Sequence, residues 1–252
     1  MGAFRRMIRG IPGVLYLHQS LQNFREARRL KRANAEEVFS DIYRKNAWRG
    51  KDSVSGPGSD LDETGAIVRE LPGLFRDLGV TSVLDVPCGD FHWMSRVPLD
   101  GIDYTGADIV RELIERNRSA FARANVRFEC LNLLTDKLPA ADLILCRDCL
   151  VHFSFRDARA ALRNLSSGGS KLLLTTTFTS RPENADILTG QWRPINLEKP
   201  PFSLPRPLRL IDECCTEKSG LYRDKSLALW RLADIASCLK SDMERVTSAG
   251  VC

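Results

Sequence analysis

The chain has 252 residues, of which 43% are hydrophobic and 27% charged, a composition typical of a globular protein with one substantial core. The net charge of +5 argues neither for nor against nucleic acid binding, and it is concentrated at one end. Residues 1–32 hold eight cations and one acid, which gives +7, and the remaining 220 residues sum to −2. The apolar run Ile11–Leu17 has seven residues, against about 20 in a bilayer-spanning helix, so no transmembrane segment is predicted.

Residues 1–58 are predicted to form a basic helical N-terminal extension that ends in a loop. The segment Ser20–Tyr43 favours a helix, and Trp48–Ser59 is rich in Gly, Ser and Pro. The basic arm suits a solvated helical tail or contact with an anionic membrane surface or a protein partner. RNA binding is disfavoured because aromatic residues are sparse there.

The main domain is predicted to span residues 59–236 and to begin with a helix. Ser59 or Asp60 can cap this helix, Pro72 is expected to kink or split it, and Gly79 is expected to end it.

Strand and helix patterns then alternate, which predicts βαβ units and a parallel sheet. The predicted strands are Ser82–Val86, Tyr104–Ile109, Val126–Leu131, Leu143–Cys146 and Lys171–Phe178. The predicted helices are Val110–Ala124 and Phe155–Leu165, with a short one near Trp93.

The pattern changes after the fifth strand. Residues 179–207 contain six prolines and predict a long ordered loop, which we place on the acceptor side. Two further runs, Leu208–Cys215 and Ser226–Leu232, predict an antiparallel hairpin, and residues 237–252 a C-terminal tail. The predicted fold is therefore α/β: a Rossmann-like, doubly wound, mostly parallel sheet of about seven strands with a C-terminal antiparallel hairpin and an N-terminal helical extension.

The segment Val83–Met94, with the sequence VLDVPCGDFHWM, is the most informative part of the chain. Asp85 ends the first strand and Asp108 ends the second, where an acidic residue of this fold class accepts hydrogen bonds from both ribose hydroxyls. The intervening turn lacks the G-x-G-x-x-G spacing of a pyrophosphate site, because only Gly89 stands there. An adenosine-containing ligand without phosphates is favoured over a nicotinamide dinucleotide.

These residues resemble motif I of the class I S-adenosylmethionine-dependent methyltransferases. Cys88 and Gly89 match that motif, whereas Pro87 and Phe91 stand where glycines are usual. A bacterial subset shares the P-C-G-D-F-x-W-M layout. The resemblance implies S-adenosyl-L-methionine as the cofactor. The cofactor-binding residues it implies are Asp85, Cys88, Gly89, Asp90, Asp108, Asn132, Leu133 and Arg147.

Residues after the fourth strand are candidates for the chemistry. His152 is a candidate general base because an imidazole titrates near neutrality; alternatively, it is a helix-start or core histidine that orients the loop. Asp148 is the alternative base, or it forms a structural ion pair with Arg147, which could also bind an anionic acceptor. Trp192, Arg193 and Asn196 are predicted to contact the acceptor because they follow the fifth strand.

The eight cysteines are scattered, and Cys146 with Cys149 forms one C-x-x-C without a second pair. This pattern predicts reduced thiols in a cytoplasmic protein, with peripheral membrane contact as an option, and no metal site. The predicted function is methyl transfer to a small-molecule or glycan acceptor, at a hydroxyl oxygen. A non-catalytic module that binds an adenosyl ligand or a partner is the alternative, and a nicotinamide oxidoreductase is the third.

Overall fold

A computed structural model describes residues 24–249 of the chain, with side chains up to residue 240. Its centre is one seven-stranded sheet in the order β3-β2-β1-β4-β5-β7-β6. The strands are β1 (Ser82–Asp85), β2 (Asp103–Asp108), β3 (Val126–Cys130), β4 (Leu143–Cys146), β5 (Leu172–Phe178), β6 (Arg209–Asp212) and β7 (Lys225–Arg231). The first five strands are parallel, and β7 is antiparallel to both of its neighbours. The predicted fold class and C-terminal hairpin are confirmed.

Helices cover both faces of the sheet. The longer helices are α1 (Ala35–Arg44), α2 (Leu61–Leu78), α3 (Arg111–Phe121), α4 (Phe155–Ser167) and α5 (Leu232–Ala249), and residues 24–30 are helical as well. Apolar side chains of α4 and α5 pack on one face of the sheet, and those of α2 and α3 pack on the other. All four residues of β4 are buried as a result, which explains its continuous apolar sequence. None of the described helices is long and apolar enough to cross a bilayer.

Helix α2 is continuous through Pro72, so the proline does not split it into two helices. Leu71, Leu74 and Phe75 are buried beside the proline, and their packing on the sheet outweighs one missing backbone hydrogen bond. Gly79 ends the helix in the left-handed conformation, with φ of 62°, as predicted.

We expect Pro72→Ala to stabilise the protein, because an alanine N–H can donate to the carbonyl of Val68 within a helix that is already continuous. The expected gain in the free energy of unfolding is about 1–2 kcal/mol, since the proline also restricts the unfolded chain. Urea denaturation measures the gain. Pro98→Ala, in an exposed loop, is the control and should give none; equal values for the two variants would contradict the prediction.

The N-terminal segment packs against the main domain. Leu30, Val38 and Ile42 form a small core that contacts Leu188 in the long loop. The predicted helix Ser20–Tyr43 is interrupted, because residues 31–34 form a turn and Asn34 caps α1 by accepting a hydrogen bond from the Glu37 N–H at 2.9 Å. Residues 1–23, which hold the first cations of the arm, lie outside the described residues.

Residues 179–208 form a loop without strands or long helices, and several of its apolar side chains are buried. Ile195, Leu197 and Phe202 lie in the core cluster beside α4 and α5. The Trp230 indole N–H donates to the carbonyl of Pro205 at 2.7 Å, which ties the loop to β7. Helix α5 continues past residue 237, so the predicted start of the C-terminal tail lies inside a helix.

Candidate functional site

A cavity that is partly open to solvent lies at the carboxyl ends of β1, β2 and β4. The sheet order reverses between β1 and β4, which is where doubly wound folds bind ligands. Ten predicted site residues line the cavity: Asp85, Cys88, Gly89, Asp90, Asp108, Asn132, Leu133, Arg147, Asp148 and His152. Residues separated by as many as 67 positions along the chain are thus brought together at one edge of the sheet.

Asp85 is a buried carboxylate at the floor of this cavity. Its side chain accepts a hydrogen bond from the hydroxyl of Tyr104 at 2.6 Å. Burial raises the pKa of Asp85 to about 7, with Asp108 contributing in the same direction. A cationic or hydrogen-bond-donating ligand would therefore stabilise the ionised form of Asp85.

Asp108, at the end of β2, is the second buried carboxylate. Its two oxygens accept the backbone N–H groups of Val110 at 3.0 Å and Gly89 at 3.2 Å. Burial nevertheless raises the pKa of Asp108 to about 6. Each carboxylate oxygen has a second lone pair, so the side chain retains capacity for two hydroxyl donors.

Position 89 requires a glycine because the side chain of Ser55 lies very close to its backbone. Its φ is 54°, and a Cβ on this residue would lie 2.3 Å from the Oγ of Ser55. Phe91 also has a positive φ, 58°, so it keeps the backbone conformation for which a glycine is suited. The Phe91 ring packs against Tyr104, Phe121 and Phe128, and this burial offsets the backbone strain.

Asp90 holds the serine-glycine loop, defined as Ser53–Ser59, over the cavity. Its carboxylate accepts hydrogen bonds from the Ser53 hydroxyl at 2.9 Å and the Val54 N–H at 2.9 Å. The carboxylate of Asp60 accepts the N–H groups of Lys51, Asp52 and Ser53. Asp90 therefore shapes the cavity wall through the loop that it binds.

We expect Asp90→Ala to lower the free energy of unfolding by about 2–4 kcal/mol, because the buried donors of the serine-glycine loop would lose a charged acceptor. Urea denaturation measures this change. Asp100→Ala removes an exposed carboxylate and should change the free energy by less than about 0.5 kcal/mol. Similar values for the two variants would contradict the role assigned to Asp90.

Asn132 and Leu133 form the turn after β3. The Asn132 side-chain oxygen accepts the N–H of Leu134 at 2.9 Å, and the Asn132 N–H donates to Asp136 at 2.9 Å. These bonds hold the turn against the cavity next to Asp108. The second lone pair of the Asn132 oxygen can accept a further donor.

A buried charge cluster lies at the end of β4. Arg147 binds Glu213 at 2.6 Å and Asp148 at 3.2 Å, and Lys225 binds Asp148 at 2.6 Å and Glu213 at 3.4 Å. Burial raises the pKa of Asp148, but Arg147 and Lys225 outweigh it and hold the value at about 2. Asp148 is therefore ionised near neutral pH. The predicted ion pair with Arg147 is present.

His152 follows this cluster and stacks on Trp48, with ring centroids 4.7 Å apart and planes at 27°. Its Nδ1 lies 3.0 Å from the carbonyl oxygen of Gln191. Because a carbonyl only accepts, Nδ1 must carry the proton, which leaves the lone pair on Nε2. Burial lowers the pKa of His152 to about 4, so the ring is neutral near pH 7.

The sequence did not single out an aromatic wall of the cavity formed by the N-terminal segment. Ala35, Phe39 and Tyr43 recur at every fourth position of α1, and all three line the cavity together with Trp48. The i, i+4, i+8 spacing was a readable signal of one helix face. What that face would contact could not be read from the spacing.

Trp192, Arg193 and Asn196 do not lie among the cavity-lining residues. The Arg193 side chain donates to the carbonyls of Leu150 and Ala185. Asn196 donates to the carbonyl of Arg181, and Trp192 packs on the rings of Phe178 and Tyr222, which lie outside the loop. The structure thus places these three residues in the framework of the long loop.

Within residues 24–240, no three His, Cys, Asp or Glu side chains are grouped so that they could hold a metal ion. The seven cysteines of that range are free thiols.

Comparison with a protein-family profile identifies a methyltransferase domain over residues 83–168, from β1 to the end of α4. The comparison with curated proteins gave no match. The matched segment contains β1 to β4 and most of the cavity-lining residues.

Solved structures of methyltransferases share the fold. Human N-acetylserotonin methyltransferase, solved in complex with SAM, has 16% identity and a TM-score of 0.51, over 79% of this chain and 60% of that one. The mitomycin 7-O-methyltransferase MmcR has 17% identity and a TM-score of 0.50, over 68% of this chain and 53% of that one. The chain spans less than two thirds of either protein. The chain therefore has the fold of class I methyltransferases, with a recognisable methyltransferase domain at its centre.

Proposed function

We propose that the protein is an S-adenosylmethionine-dependent methyltransferase that acts on a hydroxyl oxygen of a small-molecule or glycan acceptor. One observation carries the proposal. The cavity is lined both by two buried carboxylates, Asp85 and Asp108, and by the candidate bases Asp148 and His152. Such an arrangement suits a cationic adenosyl donor next to an acceptor whose proton must be removed.

The chemistry of the lining residues fits S-adenosylmethionine. The remaining lone pairs of Asp108 can accept hydrogen bonds from the two ribose hydroxyls. Burial raises the pKa of Asp85, and the ammonium group of the cofactor would stabilise its ionised form. Asn132 can accept from the adenine amino group, with Leu133 beside it. The Cys88–Gly89 turn would meet the amino acid part of the cofactor.

Asp90 and Arg147 contribute to this site indirectly. Asp90 binds the serine-glycine loop, and Arg147 donates to the carbonyl of Gly58 in the same loop at 2.7 Å. Both residues therefore hold a wall of the proposed cofactor site.

When bound, the cofactor supplies an electrophilic methyl group, whose bond to sulfur breaks with the electron pair remaining on sulfur. The residues of the chain align the acceptor and receive its proton. We propose that Nε2 of His152 accepts this proton, because Nδ1 already donates to the carbonyl of Gln191. Asp148 lies on the same segment and favours the imidazolium that forms.

Titration calorimetry with S-adenosylmethionine and S-adenosylhomocysteine tests the cofactor assignment. We expect both to bind, and Asp108→Asn to weaken binding at least about tenfold, with Asp100→Asn as the matched control. Transfer of a labelled methyl group to cell extracts tests catalysis. Binding of NADH instead would support an oxidoreductase, and binding without transfer to any extract would support a non-catalytic module.

A further inference from the structure

The end of the cavity beyond the proposed cofactor site has aromatic walls. Trp48 stacks on His152, and Phe39 contacts both Trp48 and Phe153, with ring centroids 6.3 and 5.8 Å apart. Trp93 also lines the cavity, with Arg147 over its ring. The Trp48 ring offers a flat apolar surface against the candidate base, with Phe39 beside it.

Helix α1 supports this interpretation because it carries two apolar stripes. One stripe, with Val38 and Ile42, is buried in the small N-terminal core. The other stripe, with Ala35, Phe39 and Tyr43, is only half-buried and faces the cavity. Apolar surface on a bound ligand would bury this second stripe further.

The charges at this end of the cavity are already balanced within the protein. Arg147 and Lys225 provide two positive charges, and Asp148 and Glu213 provide two negative ones, all joined by ion pairs. The guanidinium of Arg147 also donates to the carbonyl of Gly58. An anionic acceptor would find no uncompensated cation in this cluster.

The same contacts limit recognition of a sugar. A saccharide presents many hydroxyl groups, and its binding requires several donors and acceptors that are not otherwise engaged. Here Arg147, the long donor that lines the cavity, is committed to Asp148, Glu213 and a backbone carbonyl. A ligand with one hydroxyl next to His152 and an otherwise apolar face fits the cavity better.

We infer that the acceptor is an uncharged, planar ring compound with a hydroxyl group, held between the aromatic walls with its hydroxyl at His152. This inference rests on the proposed function and narrows it from small molecules and glycans in general. It also replaces the prediction that Arg147 binds an anionic acceptor.

Three probes with the same ring system test the inference: 4-methylumbelliferone, its phosphate ester and its glucoside. Binding is measured with S-adenosylhomocysteine present, at a pH below the phenol pKa of the first probe. We expect the uncharged phenol to bind at least about tenfold more tightly than the phosphate ester and the glucoside. Equal or tighter binding of either derivative would overturn the inference.

Trp48→Leu provides the test by mutation. It should weaken binding of the phenol by about tenfold or more and leave the affinity for S-adenosylhomocysteine unchanged. Phe24→Leu, at an exposed ring outside the cavity, is the control and should change neither affinity. If Trp48→Leu still binds S-adenosylhomocysteine and its affinity for the phenol is unchanged, the inference is overturned. If the wild-type protein does not bind S-adenosylhomocysteine, the proposed function itself is wrong.

Discussion

Asp85→Asn should unfold at a higher temperature than the wild-type protein and lose most of its affinity for S-adenosylhomocysteine. Burial raises the pKa of Asp85 to about 7, so at pH 8 the folded protein holds a buried negative charge. Asparagine removes that charge, and its oxygen can still accept the Tyr104 hydroxyl. The asparagine also buries an amide N–H donor, which offsets part of this stabilisation. We expect the free energy of unfolding to rise by about 1–2 kcal/mol, which corresponds to about 2–8 °C in Tm.

The gain should depend on pH with a definite sign. Because the pKa of Asp85 is higher in the folded than in the unfolded protein, the wild type loses stability as pH rises from about 4 to about 7. Asparagine does not titrate, so the difference in Tm should be larger at pH 8 than at pH 5. Thermal unfolding of the unliganded proteins at both values measures it.

Ligand affinity should change in the opposite direction. The carboxylate is the group proposed to bind the cofactor ammonium, so its loss should raise the Kd for S-adenosylhomocysteine by about ten- to a hundredfold. Asp100→Asn, with an exposed side chain, should alter neither Tm nor Kd. A stabilised Asp85→Asn protein that binds as tightly as the wild type would remove Asp85 from the cofactor site.

The sheet could be predicted from sequence because its strands carry strong local signals. For the apolar run Leu143–Cys146 the predicted and observed bounds are the same. A strand that is buried on both faces is apolar along its whole length, so polar residues mark where it begins and ends. The local signal is a weaker guide at Pro72. Its local preference opposes a helix, but contacts of Leu71 and Leu74 with the distant sheet decide the outcome.

The candidate site could be predicted only in part. Asp85 and Asp108 end predicted strands, and parallel strands bring their carboxyl ends together, so chain order was sufficient to place them. Lys225 binds Asp148, which lies 77 positions earlier in the sequence, and no local sequence pattern predicts such an ion pair. Trp48 likewise reaches His152 from the N-terminal segment. Contacts of this kind depend on how separate elements pack, which periodicity does not encode.

His152→Ala should lower kcat by about a hundred- to a thousandfold and leave the affinity for S-adenosylhomocysteine unchanged, because the imidazole acts on the acceptor proton. Burial lowers the pKa of His152 to about 4, so the base stays unprotonated down to about pH 5. At saturating concentrations of both substrates, wild-type kcat should therefore show no loss between pH 7 and pH 5 from this residue. A fall centred near pH 6.5 would show that His152 titrates normally.

Chemical rescue distinguishes proton transfer from a purely structural role of the ring that stacks on Trp48. Imidazole in the buffer should restore part of the kcat of His152→Ala in proportion to its concentration, whereas a packing defect would not respond. Asp148→Asn is the comparison for the other candidate base. It leaves Arg147 and Lys225 with one anionic partner fewer, so its Tm must be measured beside its kcat. If folded Asp148→Asn loses more kcat than His152→Ala, and imidazole rescues neither, the proton passes to Asp148.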